Sequence, residues 1–370
     1  MQHSDWGIRS PRWSGIRSET VEVCGVPVHY LAADARRATV DAPTHLLVHA
    51  MAGSATAWLD LIPRLTALGP VIAPDLPGTV AGHTMSPTRR GPRAETNARF
   101  LRAFVRTLGL DGLVVHGWSM GGLVSVLFAD LAPRRIVGLV LTAPTLPWRR
   151  TSTMEALGWH TIGRVAILLG TPVARTVLRL FSGPLLDRRR SALASVEAMA
   201  LASGDDTDGP RGTVAGREAF WFGRRGLVGG DPTRLSPDLV SVWVDDLRAV
   251  ASRPERLPGA ATAFASAMSA MFVDRRPVEL ALDRLAVPTL LLWGDDDDQL
   301  VDRLTLEGHA RRPRWELHVF DGAGHLLPVE LPDAYADVVA GWLERSQPRS
   351  RTSVDPGLKR TRRRDSAGEA

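Results

Sequence analysis

Short apolar runs, each partly β-branched, alternate along this chain with helical patterns, and the alternation breaks off once before it resumes. Residues 20–33 (TVEVCGVPVHYLAA) read as two strands about Gly25, an antiparallel hairpin suited to a sheet edge. Residues 45–49, 71–74, 113–118, 136–142, 288–293 and 315–320 have the length and composition of strands buried on both faces. Between them, residues 94–108 carry Phe100, Leu101, Phe104, Val105 and Leu108 on one helical face. This order predicts a mostly parallel sheet with helices on both faces. From about Leu146 to about Val287 the strand signal stops. Helical stretches at 154–181, 191–203, 241–252 and 260–272 follow one another there. Loops rich in Gly, Pro and Asp separate them, and two of these, 203–212 and 223–232, are expected to be flexible. The expected organisation is an α/β core at 20–146 and 287–345, interrupted by a helical cap at 147–286. A flexible segment, 1–19, precedes it and a disordered basic tail, 346–370, follows.

With 370 residues, 44% of them hydrophobic, the chain can bury a large core. Its single cysteine, Cys24, excludes an intramolecular disulfide and a thiolate-based metal site. The first 18 residues lack the apolar run of a signal peptide, and the apolar stretch 166–173 holds Pro172 and is too short to span a bilayer. The expectation is a soluble, cytoplasmic protein. The formal charge of +5 hints at a nucleic-acid partner, but seven Lys/Arg against three Asp/Glu fall within 346–370, leaving the body close to neutral. A tail of that composition cannot bury enough apolar area to offset its ordering entropy. It reads as a solvated tether, with an electrostatic contact to nucleic acid or anionic lipid as the alternative. No nucleic-acid partner is expected of the body.

Gly117-Trp118-Ser119-Met120-Gly121-Gly122 lies directly between the apolar run 113–116 and the apolar helical stretch 123–131. A serine hydroxyl is a poor nucleophile unless it projects from a tight turn where a base reaches it and backbone amides face the developing oxyanion. Glycines two residues to either side are what such a turn requires, because side chains would collide across it. A GxSxG pattern arises easily by chance in a glycine-rich chain. The strand before it and the helix after it give it weight.

In these residues the sequence resembles the α/β-hydrolase family, specifically its cap-bearing esterase, lactonase, peptidase and C–C hydrolase branch. The resemblance covers about 21–345. His49-Ala50-Met51-Ala52-Gly53 stands where the family has an HG-type turn, Asp75-Leu76-Pro77-Gly78 matches its DLPG-type turn, and a GxxD loop and a GxGH-like segment follow late in the chain. The resemblance implies that Ser119 is the nucleophile and His325, in Gly322-Ala323-Gly324-His325, the base. The acid is then Asp297, four residues into Gly294-Asp295-Asp296-Asp297-Asp298. Asp296 is the register alternative, and a solvated acidic turn or a hard-cation site are the other readings of the aspartate run. The run lacks the alternating ligands and mid-loop glycine of an EF-hand loop. The other family position for the acid, after the strand 136–142, holds Ala143-Pro144-Thr145 and no carboxylate.

The resemblance also implies an oxyanion hole from the backbone N–H groups of Met51 and Met120, although Ala50 replaces the family's usual glycine. Met51, Trp118 and Met120 are candidates for an apolar pocket, with core packing as the equal alternative. His49 is expected to shape its turn and His116 to be structural. Trp148, Trp159, Phe181, Phe220, Trp221, Phe222, Met268 and Met271 enrich the cap and suit either its own core or an apolar acyl substrate. No cofactor or metal is implied. Serine rather than aspartate at the elbow argues against halide or epoxide cleavage. The chemistry expected is hydrolysis of a carboxylic ester or related acyl bond. C–C bond hydrolysis, perhydrolysis and acyl transfer on the same triad, or ligand binding without catalysis, are the alternatives.

Overall fold

The apolar runs form one eight-stranded sheet, and its register explains their composition. The strands are β1 (Arg17–Val23), β2 (Val26–Ala33), β3 (Thr44–Val48), β4 (Val71–Pro74), β5 (Leu113–Trp118), β6 (Ile136–Thr142), β7 (Thr289–Gly294) and β8 (Trp315–Phe320). Their spatial order is β1-β2-β4-β3-β5-β6-β7-β8. β1 and β2 form the antiparallel hairpin, joined by Cys24 and Gly25, both at positive φ as a two-residue turn requires. β2 meets β4 antiparallel, and every pairing beyond that is parallel. The computed structural model describes residues 3–36, 42–51, 53–79, 81–82, 84, 92–147, 230–251, 256–297 and 303–346, with isolated positions 158, 161, 165 and 169. The expected tail beyond Ser346, the loop 203–212 and most of the loop 223–232 lie outside these residues. So do the cap positions Trp148, Trp159, Phe181, Phe220, Trp221 and Phe222.

Strand residues divide between two cores by parity, as the pleat dictates. Leu46, Val48, Val115, Leu139, Leu141 and Leu291 face one core, which they share with α2 (Ala94–Thr107) and α3 (Met120–Leu131). Leu47, Val114, Val140, Leu290 and Leu292 face the other. That second core includes Trp58, α1 (Ile62–Leu65) and, near the C-terminus, Tyr335, Val339 and Trp342. α2 is polar on its outer side and buries Ala94, Ala98, Leu101, Phe104 and Val105. α3 is apolar on nearly every side because the sheet, α2 and a later helix enclose it.

Between β6 and β7 the described residues hold helices and no strand: α4 (Pro237–Ala251), α5 (Leu257–Met268) with a π-helical turn at Ser269–Val273, and α6 (Arg276–Arg284). Leu239, Val242 and Trp243 of α4 join the core around Trp58, while Val278, Ala281 and Leu282 of α6 pack with α3. The remaining helices are α7 (Arg303–Ala310), α8 (Leu327–Glu330) and α9 (Pro332–Ser346). Among the described residues no helix is long and apolar enough to cross a membrane.

The N-terminal segment corrects the sequence-based expectation. Residues 1–19 are expected to be flexible, yet Trp6, Ser10, Trp13 and Ile16 are buried and β1 begins at Arg17. Two 3-10 turns, Trp6–Ile8 and Pro11–Trp13, bury both indoles together with Ile16. The Trp13 indole N–H donates to Asp60 at 2.8 Å, and that of Trp6 to the Ser18 hydroxyl at 3.0 Å. Two large aromatic side chains with satisfied N–H groups outweigh the polar residues around them.

A line of buried polar groups runs under the sheet. His45 and His116 meet Nδ1 to Nε2 at 2.9 Å, His116 Nδ1 reaches the Tyr335 hydroxyl at 3.1 Å, and that hydroxyl reaches Thr142 Oγ1 at 3.2 Å. Burial lowers the pKa of His45 to about 4 and that of His116 well below its usual value, and it raises that of Tyr335. Burial likewise takes His309 to about 4, where Nε2–H donates to the Pro147 carbonyl and Nδ1 accepts from Arg312.

Two predictions follow from these packed groups. Trp13→Ala should reduce the unfolding free energy by about 3–5 kcal/mol in denaturant titration, the cost of a deep aromatic cavity; a loss below about 1 kcal/mol would show that the segment is not part of the cooperative core. The pH prediction concerns His45 and His309. Well above pH 6.5 both are neutral whether folded or not. As the pH falls from there towards 4, the unfolded chain takes up protons that the folded chain refuses, so stability declines. Between about pH 7 and pH 5 each site should remove about 2 kcal/mol from the unfolding free energy, and a flat profile over that range would contradict their burial as neutral groups.

Candidate active site

β3, β5, β7 and β8 run in the same direction, so the loops after them emerge at one edge of the sheet. β4 lies on one side of β3 and β5 on the other, which makes the gap beyond the ends of β3 and β5 the topological switch point, where open α/β sheets bind their ligands.

Ser119 ends β5 and starts α3 at φ 55° and ψ −119°, a conformation costly for a side-chain-bearing residue. Close backbone packing holds it. A Cβ on Gly121 would stand 2.2 Å from the Val48 carbonyl oxygen, and one on Gly117 would stand 2.7 Å from the Gly121 oxygen. The Ser119 N–H donates to the Thr142 carbonyl at 2.9 Å, and the Ser119 carbonyl accepts from Gly122 and Thr145. The hydroxyl therefore sits at the N-terminus of a 12-residue helix, whose first N–H groups, that of Met120 included, have no acceptor within the helix.

Gly294 and Phe320 are paired at the ends of β7 and β8, which brings the following loops side by side. His325 Nδ1 lies 2.7 Å from Asp297 Oδ2, with the two residues 7% and 1% exposed. A carboxylate accepting from Nδ1–H fixes the imidazole tautomer that leaves Nε2 free to take a proton. Asp295 and Asp296 are exposed. They serve the loop instead: Asp296 N–H donates to the Ala323 carbonyl at 3.0 Å, and Asp295 accepts from Gly322 N–H. Of Asp295, Asp296 and Asp297, it is Asp297 that meets the imidazole. The Trp118 indole N–H donates to the His325 carbonyl at 2.8 Å and ties the histidine loop to the residue preceding Ser119.

His49 follows β3 and is buried. Its Nδ1–H donates to the Ala50 carbonyl at 2.8 Å, and its Nε2 accepts from Leu76 N–H at 3.0 Å, so the ring joins the turn after β3 to the Asp75-Leu76-Pro77-Gly78 turn. Burial lowers its pKa, in keeping with a neutral ring that shapes the turn. Met51, in that turn, is half-buried. Val48 is paired with Gly117, which sets the turn beside the start of α3 and brings the Met51 and Met120 segments to neighbouring strand ends. Of the three side chains considered for a pocket, Trp118 is buried edge-on against Trp58 in one core, and Met120 is buried in the other. Met271 is likewise buried and Met268 half-buried.

The structure also contains a Ser-His-Asp chain that sequence reasoning missed. Ser18 Oγ lies 3.1 Å from His29 Nε2, and His29 Nδ1 lies 2.8 Å from Asp75 Oδ2. Its hydroxyl already accepts the Trp6 indole N–H, and Asp75 also accepts from Ala55 N–H at 2.7 Å. Ser18 lies on an extended edge strand, with no helix beginning at its hydroxyl, and the group fastens β1, β2 and the turn after β4 together. Glu330 is a further omission: buried, it accepts from Gly324 N–H, next to His325. Its only sequence signal is a carboxylate five residues after the histidine. A cleft of about 1340 Å³ lies at the opposite end of the strands, lined by Gly112, Val137, Pro288 and Arg314, and holds none of these groups. Among the described residues, no three His, Cys, Asp or Glu side chains are grouped to hold a metal ion.

Known proteins place this geometry in context. The model of the alpha/beta hydrolase family matches residues 46–338. An uncharacterized protein of Mycobacterium tuberculosis is 28% identical over 338 residues, covering 89% of this chain and 82% of its own. The pimeloyl-[acyl-carrier protein] methyl ester esterase of Neisseria meningitidis is 24% identical over 85% of this chain and 83% of its own. Among solved structures, the 2-hydroxy-6-oxo-6-phenylhexa-2,4-dienoate hydrolase of a Rhodococcus species superposes with a TM-score of 0.60 at 19% identity, covering 89% of this chain and 99% of that one, a likeness of fold. With the family's sheet order in place and its model spanning most of the chain, the protein belongs to the α/β-hydrolase family.

Proposed function

We propose that this α/β-hydrolase cleaves a carboxylic ester or a related acyl bond through Ser119, His325 and Asp297. The observation that carries the reading is the buried 2.7 Å contact between His325 Nδ1 and Asp297 Oδ2, on a loop hydrogen-bonded to the residue before a strained, helix-capping serine. In this reading His325 Nε2 takes the Ser119 proton as the oxygen attacks a carbonyl. Asp297 stays ionised and stabilises the imidazolium. The negative charge that builds on the carbonyl oxygen is met by the N–H groups of Met120 and Met51, the first reinforced by the helix dipole of α3. Collapse expels the leaving alcohol with a proton from His325, and water then releases the acid from the acyl-enzyme by the same steps. An apolar acyl group is the expected substrate part, and the sequence relative that acts on a methyl ester is consistent with this chemistry.

Ser119→Ala should abolish both labelling by a fluorophosphonate probe and turnover of p-nitrophenyl esters, with the unfolding midpoint close to that of the parent. A screen over acyl length and leaving group on the parent protein then defines the substrate. If Ser119→Ala keeps full turnover, the assignment is wrong. The two aspartates give a sharper contrast. Asp297→Asn should lower kcat by about 10³–10⁴-fold, because an amide no longer fixes the productive tautomer, whereas exposed Asp296→Asn should stay within about twofold on the same assay. The reverse ranking would return the acid to Asp296.

A further inference from the structure

The loop that carries His325 is held on its far side by a carboxylate to which the proposed chemistry gives no task. Glu330, at the end of α8, is 3% exposed. Its two oxygens lie 3.2 and 3.3 Å from the N–H of Gly324, the residue before His325, and Oε2 also accepts from Asp231 N–H at 3.1 Å. Gly324 and Asp231 are about 90 positions apart in sequence, and Asp231 lies between β6 and α4, just before the turn Pro232–Arg234. The contact is built closely. Gly230 has φ 78°, and a Cβ there would come within 2.3 and 2.5 Å of the Glu330 oxygens and 2.6 Å of Gly324 N. Next along the chain, Asp231 accepts from Thr233 N–H at 2.9 Å and stiffens the turn Pro232–Arg234, from which Arg234 donates to the Gly322 carbonyl at 2.8 Å.

Burying a carboxylate costs more than packing an apolar side chain of the same size in the same place. Burial pushes the Glu330 pKa up, against the N–H groups of Asp231 and Gly324 and the charge of Arg234, which pull it down; nearby Asp231 adds to the rise. The carboxylate supplies what an apolar group cannot: paired acceptors that join two backbone segments at a fixed separation.

We propose that Glu330 is a positioning residue, fastening the loop of His325 to the backbone at 230–231 and so setting the angle of the imidazole. The inference rests on the catalytic reading of Ser119 and His325. Removing one of these bonds displaces the imidazole without altering its own partners. Because reaction geometry is sensitive to displacements of about an ångström, the effect belongs in kcat rather than in KM.

The test uses the full chain, with a p-nitrophenyl ester assay, the rate of fluorophosphonate labelling and thermal unfolding. Glu330→Gln keeps the size but turns one acceptor into a donor facing an N–H. It should lower kcat and the labelling rate by roughly 10- to 100-fold, with KM within about twofold and the same unfolding midpoint to within a few degrees. Gly230→Ala, which displaces the carboxylate without changing it, should give a loss of the same order, and the double variant should lose no more than the worse single one. Parent-like kcat and labelling in Glu330→Gln, a lowered unfolding midpoint with kcat intact, or losses that multiply in the double variant would each overturn the proposal. If Glu330→Gln does not fold, Gly230→Ala decides the matter, parent-like kcat counting against the proposal. Turnover that survives in Ser119→Ala would instead defeat the catalytic reading and this inference with it, whereas turnover lost there but intact in Glu330→Gln defeats Glu330 alone.

Discussion

No side chain separates the first turn of α3 from the end of β3. Gly121 lies so close to the Val48 and His49 carbonyls that even a methyl group would overlap them. This contact is backbone against backbone, so it cannot relax by a change of rotamer, and the rest of the site depends on it. It presses the helix onto the sheet and forces the chain between β5 and α3 through the positive φ of Ser119. It also sets the turn holding His49 and Met51 beside the helix N-terminus. The strain at one residue is held by many ordinary hydrogen bonds around it, the Thr142 carbonyl and Thr145 N–H among them.

The Ser18-His29-Asp75 chain and the His325–Asp297 pair show how little residue identity settles. Both have a buried histidine–carboxylate contact below 3 Å. In the Ser18 chain each partner is committed elsewhere as well: the hydroxyl accepts an indole N–H, and the second carboxylate oxygen accepts a backbone N–H. Around Ser119 the surroundings are of another kind. The serine caps a helix whose terminal amides lack helical acceptors, and the histidine sits on a loop rather than within the hydrogen-bonded ladder of a strand. Saturated polar partners make a fastener, and directed but incompletely used ones make a site suited to chemistry.

Much of this was legible in the sequence, for reasons tied to particular residues. Strands β3 to β7 announce themselves because a parallel strand covered on both faces must be a short apolar run, and their ends fall within one residue of the apolar stretches. The elbow was legible because its glycines answer to a local steric need. The N-terminal turns were not, since a stretch with Asp5, Arg9, Pro11 and Arg12 looks solvated until Trp13 is seen against Asp60, 47 positions away. Glu330 was hidden for the same reason. Its partners are backbone N–H groups, which carry no residue signature, and one of them is 99 positions distant.

The histidine loop shows how those distant contacts combine. Gly322 N–H and the Ala323 carbonyl bind the loop after β7, the His325 carbonyl takes the Trp118 indole N–H from β5, and the His325 ring takes Asp297. Gly294 lets this happen, for a Cβ there would stand 2.2 Å from the Ala323 carbonyl oxygen. All of these contacts come from the sheet domain, which is stiff because its inner strands are paired on both sides and packed on both faces. Hydrogen bonds also reach the loop from residues 231–234: Arg234 to the Gly322 carbonyl, and Asp231 N–H through Glu330 to Gly324 N–H. A loop held from one side by a rigid frame has its mean position fixed by that frame. Held also through Glu330 from residues 230–231, the loop has its position set from two sides, and the His325 ring with it.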